Sequence, residues 1–247
     1  MDYKRLKDKV AIVTGSTRGI GRAIALKYGR EGAKVVVSGT NEALCKEVVS
    51  LICEDNGEAM YVTCDISKLD DIDNLYGSVL KAYGRVDIAV NNAGVAVFKD
   101  FLDMDKETME HLCNINIYGT YFSAQRAARQ MVKQGFGTII NMSSIVAETG
   151  QVGLSAYAPT KAAISLMTKC MALEMAPYRI NVNAIGPGTI LTDLNRNEID
   201  MERDEREIPL GIGQSEDIAG IAVFLATNEA RYMTGHTVFV DGGYNIR

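Results

Sequence analysis

Short β-branched runs alternate with longer helical periods along almost the whole chain, and this alternation limits the fold more than any other feature of the sequence. The strand candidates are Lys9 to Thr14, Lys34 to Ser38, Glu58 to Cys64, Val86 to Asn91, Thr138 to Met142, Ile180 to Ala184 and Thr237 to Val240. Helical stretches lie between them at about 20–31, 42–54, 69–83, 106–133, 156–176 and 216–227. Parallel neighbours need crossover connections, and these turn right-handed, so a strand-helix-strand order repeated six times calls for a parallel sheet covered by helices on both faces. The expected fold is therefore α/β: a single doubly wound domain over residues 1–247. One region escapes the alternation, Gly186 to Ser215, with Pro187, Pro209 and the charge-dense stretch Glu198 to Glu207. A connection of that length in a compact domain is expected to serve as a lid, here over 189–215.

Composition excludes several other classes. With 47% hydrophobic and 23% charged residues the chain can bury a full core, which rules out a disordered or fibrous protein. Lys plus Arg number 26 against 31 for Asp plus Glu, a net charge of -5, so nucleic acid and anionic lipid have no basic footprint to bind. The longest apolar run, Ile218 to Ala226, has about half the length that a membrane-spanning helix requires, so no membrane partner is expected. Met1 to Lys9 alternates charges and leads into only Val10 to Val13 before Thr14, a pattern unlike a secretory signal, and a cytoplasmic location is expected. Cys45, Cys53, Cys64, Cys113 and Cys170 form neither a Cys-x-x-Cys pair nor a zinc pattern with His111 and His236, so they read as reduced thiols and no metal is expected. The methionines at helical spacing, such as Met167, Met171 and Met175, read as packing.

The first strand runs into Thr14-Gly15-Ser16-Thr17-Arg18-Gly19-Ile20-Gly21 and then a helix. A strand, a glycine turn and a helix start, in that order, build a phosphate-binding corner. The glycines let backbone approach the pyrophosphate, and free N–H groups at the helix N-terminus attract the anion. By themselves the three glycines could be turn residues only; their place directly after the first strand favours the nucleotide reading.

Here the sequence resembles the short-chain dehydrogenase/reductase family, in which Thr-Gly-x-x-x-Gly-x-Gly is the characteristic turn, and the resemblance covers nearly the whole chain. It implies a Rossmann-type seven-stranded sheet in the order 3-2-1-4-5-6-7. It also implies that Asp65, with Ile66 beside it, contacts adenine. Asn92, Ala93 and Gly94 of Asn91-Asn92-Ala93-Gly94 would line the adenosine side, and Pro187-Gly188, Ile190 and Thr192 would hold the nicotinamide amide. Taken singly, an Asp at a strand end can be a helix cap and Ala-Gly can be tight packing.

NAD and NADP differ by a 2'-phosphate, and an acid at the end of the second strand binds the free ribose hydroxyls while repelling that phosphate. Here that place is Gly39, followed by Thr40 and Asn41. A carboxylate about 4 Å from a phosphate charge would cost about 4 kcal/mol, so its absence removes the main barrier to NADP. Arg18 supplies a cation where NADP-using relatives carry one; otherwise it reads as a solvated surface side chain. NADP(H) is the expected cofactor, with NAD(H) also possible.

Tyr157 and Lys161 stand four apart in a helical stretch and so share one face. A free phenol titrates near 10, whereas a general acid/base works best near the operating pH. Nearby positive charge must therefore supply about three units, or about 4 kcal/mol. Ser144 lies thirteen residues before Tyr157, the family's spacing between its serine and tyrosine. Asn114-Ile115-Asn116-Ile117-Tyr118-Gly119 resembles the family's helix-four segment and selects Asn116 over Asn114. The resemblance implies that Ser144 orients the substrate oxygen and Tyr157 exchanges its proton. Lys161 would lower the phenol's pKa and grip the ribose, and Asn116 would support a water relay. Ser143 and Asn114 read as structural neighbours, and His111 and His236 as core or surface residues.

The substrate wall is expected from Val95 to Phe98, Glu148 to Leu154 and the lid from Thr189 onward. Glu148, Thr149, Gln151, Asp193 and Asn195 would offer hydrogen bonds suited to a small polyhydroxylated substrate. The strings Phe98 to Met104, Pro159-Thr160-Lys161 and Gly188 to Asn195 resemble those of the family's aldose 1-dehydrogenases. Reduction of a 3-oxoacyl group on acyl carrier protein is an alternative; the positions where such reductases carry arginines are Gly135 and Tyr178 here, with Lys133 and Arg179 nearby. A hydroxysteroid dehydrogenase, or a catalytically silent dinucleotide sensor, is also compatible. The resemblance and the apolar surface of the helices at 106–133 and 156–176 predict a homotetramer. The segment Gly211-Ile212-Gly213-Gln214-Ser215 departs from the family pattern and leaves the path of the lid open.

Overall fold

A computed structural model describes residues 4–192 and 206–246. Its strands are β1 (Val10–Thr14), β2 (Lys34–Gly39), β3 (Glu58–Thr63), β4 (Ile88–Asn91), β5 (Gly137–Met142), β6 (Ile180–Pro187) and β7 (Thr237–Val240). They form one parallel sheet in the order β3-β2-β1-β4-β5-β6-β7, as the resemblance implied. The helices are α1 (Gly19–Arg30), α2 (Glu42–Glu54), α3 (Leu69–Tyr83), α4 (Lys106–Leu112), α5 (Thr120–Gln134), α6 (Tyr157–Met175) and α7 (Ser215–Leu225).

Every residue of β1 is buried, because in a doubly wound sheet both faces of a central strand are covered. Alternate side chains feed two cores. Ala11 and Val13 pack with Ile24, Val48 and Ile218 of α1, α2 and α7, while Val10 and Ile12 pack with Leu75, Ala127 and Ala172 of α3, α5 and α6. Burying one such aliphatic side chain contributes about 1.5–3 kcal/mol. Tyr28 on α1 is fully buried, and its hydroxyl donates to the Ala222 carbonyl of α7 at 2.9 Å, which ties the two helices across the sheet face.

Two departures from the sequence reading bear on the site. Strand β6 continues past Ala184 to Pro187, since Gly186 and Pro187 still pair with Phe239 and Val240 of β7. The long helix expected over 106–133 is interrupted by a π-helical turn at Cys113–Gly119, with α4 before it and α5 after it. The extra residue per turn swings Asn116 inward to full burial while Asn114 stays exposed. Among the described residues no helix is long and apolar enough to cross a membrane.

Candidate active site

The strand order reverses between β1 and β4, and the crevice that opens there at the C-terminal edge of a doubly wound sheet is where ligands bind. Here it is a cleft walled by the glycine corner after β1, the ends of β2 and β3, the Asn-Asn-Ala-Gly segment after β4, and the ends of β5 and β6.

Local packing explains the glycines. Gly15 has a φ of +62°, and a Cβ there would stand 2.8 Å from the Ala93 Cα; one on Gly21 would stand 2.3 Å from the Gly15 carbonyl oxygen. The corner is thus closed tightly on itself, leaving its backbone open toward the cleft. Helix α1 starts there with no side-chain cap and no acid in its first turn, so its first N–H groups are free for an anion. Asn92 fastens the opposite wall: its amide nitrogen donates to the carbonyls of Thr14 at 3.0 Å and Gly15 at 3.1 Å. The Thr14 hydroxyl accepts from the backbone N–H groups of Asn92 and Ala93. These residues fit a dinucleotide's phosphates, with small residues and backbone donors where a pyrophosphate would lie.

Gly15, Thr17, Arg18, Gly19, Ile20, Gly21, Thr40, Asp65, Ile66, Asn92, Ala93, Gly94, Pro187, Gly188, Ile190 and Thr192 all line the cleft. Asn41 does not: its side chain accepts from the Leu44 N–H at 3.1 Å and serves as the N-cap of α2. Asp65 faces the cleft but is occupied locally, accepting from the Ser67 hydroxyl at 2.7 Å and pairing with Lys68 at 3.3 Å. Those partners hold its carboxyl below the usual range. Sequence reasoning passed over Ser38, Cys64, Ile115 and His111, which also line the cleft. His111 and Ile115 are four apart on one helical face, a spacing that could have signalled their shared direction.

Ser144, Tyr157 and Lys161 all line the cleft, brought there by the end of β5 and the first turn of α6. Ser144 leaves β5 in extended conformation and caps the short turn Ile145–Ala147. Tyr157 is the first residue of α6, so Lys161 lies one turn on, and its ammonium stands 5.6 Å from the centre of the phenol ring. Lys161 is 4% exposed and donates to the Met142 carbonyl at 2.9 Å. Burial lowers its pKa to about 8. Burial pushes the Tyr157 phenol up to about 12, with a hydrogen bond to Ser144 acting in the opposite direction. Gly94 lets the loop after β4 lie close to this corner, since a Cβ there would stand 3.2 Å from Asn116 Oδ1 and 3.5 Å from the Lys161 ammonium.

Asn116 sits behind this wall and not on it. Its side-chain oxygen accepts from the Val95 N–H at 2.9 Å, and its amide nitrogen donates to the Val95 carbonyl at 2.9 Å and the Thr160 hydroxyl at 3.1 Å. Thr160 in turn donates to the Tyr157 carbonyl at 2.7 Å, so Asn116 braces the loop after β4 against the first turn of α6. Ser143 bonds the Lys161 carbonyl and the Ser165 hydroxyl, in line with a structural part.

The expected substrate wall is placed differently. Of its described polar residues, Glu148 is exposed, Thr149 donates to the Ile145 carbonyl at 3.2 Å, and Gln151 lines a separate shallow depression beside Asp100 to Asp103. A tight turn after the 3-10 segment carries them away from the cleft, whereas Val95 lines it. Asp193 and Asn195 lie outside the described residues.

A parallel sheet with a glycine corner at its switch point, and a serine, tyrosine and lysine converging where the nicotinamide would reach, define a dinucleotide-dependent oxidoreductase. The chain belongs to the short-chain dehydrogenase/reductase family and is an NAD(P)-dependent oxidoreductase of CH–OH groups. The family profile described as enoyl-(acyl carrier protein) reductase matches residues 15–245. An L-rhamnose 1-dehydrogenase (NAD(P)(+)) of Azotobacter vinelandii is 44% identical over 253 residues, covering 96% of this chain and 97% of the relative. A 3-oxoacyl-(acyl-carrier-protein) reductase of Aquifex aeolicus is 38% identical over 243 residues, covering 97% and 98%. Among solved structures, a short-chain type dehydrogenase/reductase from Mycobacterium marinum superposes with a TM-score of 0.96 at 36% identity, covering 100% of this chain and 99% of that one.

Proposed function

We propose that the protein is an aldose dehydrogenase that oxidises the anomeric hydroxyl of a small sugar, with NADP as its preferred cofactor. The observation that carries the chemistry is the convergence of Ser144, Tyr157 and Lys161 at one end of a cleft shaped for a dinucleotide. The sugar is suggested by the likeness to L-rhamnose 1-dehydrogenases, 44% identical in one case and 41% in another.

A dinucleotide held at the glycine corner would supply the hydride acceptor for the substrate carbon. The Ser144 hydroxyl holds the reacting oxygen beside the phenol, and Tyr157 removes its proton through Oη. With its pKa pushed up by burial to about 12, Tyr157 is a neutral phenol at neutral pH, so taking the proton requires its phenolate, whose charge the Lys161 ammonium, 5.6 Å from the ring centre, would offset. The Asn116 side chain is committed to Val95 and Thr160, so its contribution is to hold Tyr157 and the loop after β4 in register.

NADP preference is supported at the ribose corner. Gly39 stands where an NAD-binding acid would, and any Cβ there would come within 2.9 Å of the Thr17 side chain. Arg18 and Thr40 line the same corner, offering a cation and a hydroxyl to a 2'-phosphate. The segment 189–215 is read as the substrate lid within a single domain over 1–247. Both ends of its described part are pinned: Leu191 N–H donates to the Gly213 carbonyl and Gly213 N–H to the Thr189 carbonyl. This pairing sets Gly213 beside Thr189 and Leu191, in keeping with a lid whose two ends meet.

A homotetramer is supported by the groove between α5 and α6, where Tyr121, Leu166 and Met167 lie side by side and Leu173 is 79% exposed. Five free cysteines fit the reducing cytoplasm. The test is turnover with NADP+ and NAD+ across aldoses, polyols, hydroxysteroids and acyl thioesters. Aldose oxidation as the fastest reaction supports the proposal. Preferred turnover of an acyl thioester or a steroid refutes the sugar, and NADPH binding without any turnover would point to a sensor.

A further inference from the structure

Two acids of α2, Glu42 and Glu47, lie outside the cleft lining, and each is turned toward a cation. Glu42 is the first acid after β2, two residues beyond the cleft-lining Thr40, at the first position of α2. Its Oε1 receives two donors: the Lys46 ammonium at 2.8 Å and the Tyr61 hydroxyl at 2.9 Å. Lys46 is one turn along the same helix, and a Glu–Lys pair at that spacing is by itself an ordinary surface feature worth a few tenths of a kcal/mol. Tyr61 makes it more than that, because it comes from a different element. It stands on β3 opposite Val37 of β2, and its ring also lies under the Lys46 ammonium at 5.7 Å. Glu47 Oε1 is 3.7 Å from Arg22 of α1.

We propose that Tyr61 and Lys46 are positioning residues for cofactor choice: they clamp Glu42 between α2 and β3 and so keep the corner open to a 2'-phosphate. This rests on the NADP reading above. A freed Glu42 would do what an acid at the end of β2 does in an NAD site, repelling the phosphate and offering oxygens to the ribose hydroxyls. A carboxylate and a dianionic phosphate about 8 Å apart across water repel enough to change binding about fivefold relative to no charge; this is the upper limit for freeing Glu42, and salt reduces it.

The test is fluorescence titration of NADPH and NADH against the full chain at low ionic strength. Tyr61→Phe removes one donor without changing any charge. The expected result is an NADPH Kd raised about two- to fivefold with the NADH Kd unchanged or lower, and return of the NADPH Kd to the parent value in Tyr61→Phe/Glu42→Gln. Lys46→Met should raise the NADPH Kd further, again reversed by Glu42→Gln. Equal changes for both cofactors, no change, or failure of Glu42→Gln to restore binding would overturn the clamp; the last would mean that Lys46 meets the phosphate directly. If the parent protein binds NADH more tightly than NADPH, the NADP reading fails on its own, while the clamp is still judged by whether the ratio moves.

Discussion

Replacing Lys161 by methionine should uncouple stability from activity, and the size of the effect follows from burial. The amine titrates near 10.5 when exposed and at about 8 in the folded protein. The unfolded chain therefore keeps its proton over a pH range in which the folded chain loses it, and stability rises with pH between those two values. Below about pH 8 the full penalty of burying the charge is present, about 3 kcal/mol at 1.36 kcal/mol per unit. Methionine matches the side chain's length and carries no charge, but it leaves the Met142 carbonyl without the donor it now has, at a cost of about 1–2 kcal/mol. Lys161→Met should thus be more stable than the parent by about 1–2 kcal/mol at pH 7 while turnover collapses. The sharper signature is its pH dependence: between pH 7 and 9.5 the parent should gain about 2 kcal/mol relative to the variant. Urea denaturation of both proteins across that range measures the difference. A gap that stays constant with pH would show that the buried amine is not the charged group described here, and the reasoning about Tyr157 would fall with it.

Other outcomes follow from the same geometry. Gly21→Ala should lower stability by about 1–3 kcal/mol and abolish dinucleotide binding, because its methyl group would meet the Gly15 carbonyl; calorimetric melting and NADPH titration check both parts. Arg18→Ala should weaken NADPH by about tenfold and leave NADH nearly unchanged, read as the ratio of the two dissociation constants. Asn116→Ala should lose stability by about 1–2 kcal/mol, seen in chemical denaturation, because it removes both side-chain bonds to the half-buried Val95 backbone. Leu166→Glu on α6 should shift the assembly to smaller species in sedimentation, and an unchanged mass would remove α6 from the interface.

Much of this was legible in the sequence because the signals were local. β-Branched runs bounded by glycine marked the strands, and the turn from Thr14 to Gly21 carries its own geometric requirement in Gly15 and Gly21. The four-residue step from Tyr157 to Lys161 survives in any helix. What escaped was set by tertiary contacts. The π turn at Cys113–Gly119 has no local signature, and it buries Asn116 against Val95 and Thr160. Asn41 could serve a ribose or cap a helix, and only the position of the Leu44 N–H decides between them. Glu148, Thr149 and Gln151 follow a strand that ends at the site, but a single 3-10 turn redirects them. His111 carried no pattern with another titratable group, and its spacing from Ile115 offered only a shared direction, so its place in the cleft wall needed α4 oriented.

The central claim is that the Tyr157 hydroxyl exchanges the substrate proton at the cleft. It is tested most directly by NADP+ reduction with the fastest aldose found in the substrate panel, comparing the parent with Tyr157→Phe and following NADPH affinity in parallel. The account predicts a loss of more than about a hundredfold in kcat with NADPH affinity nearly unchanged. A phenylalanine variant that turns over at the parent rate would contradict it.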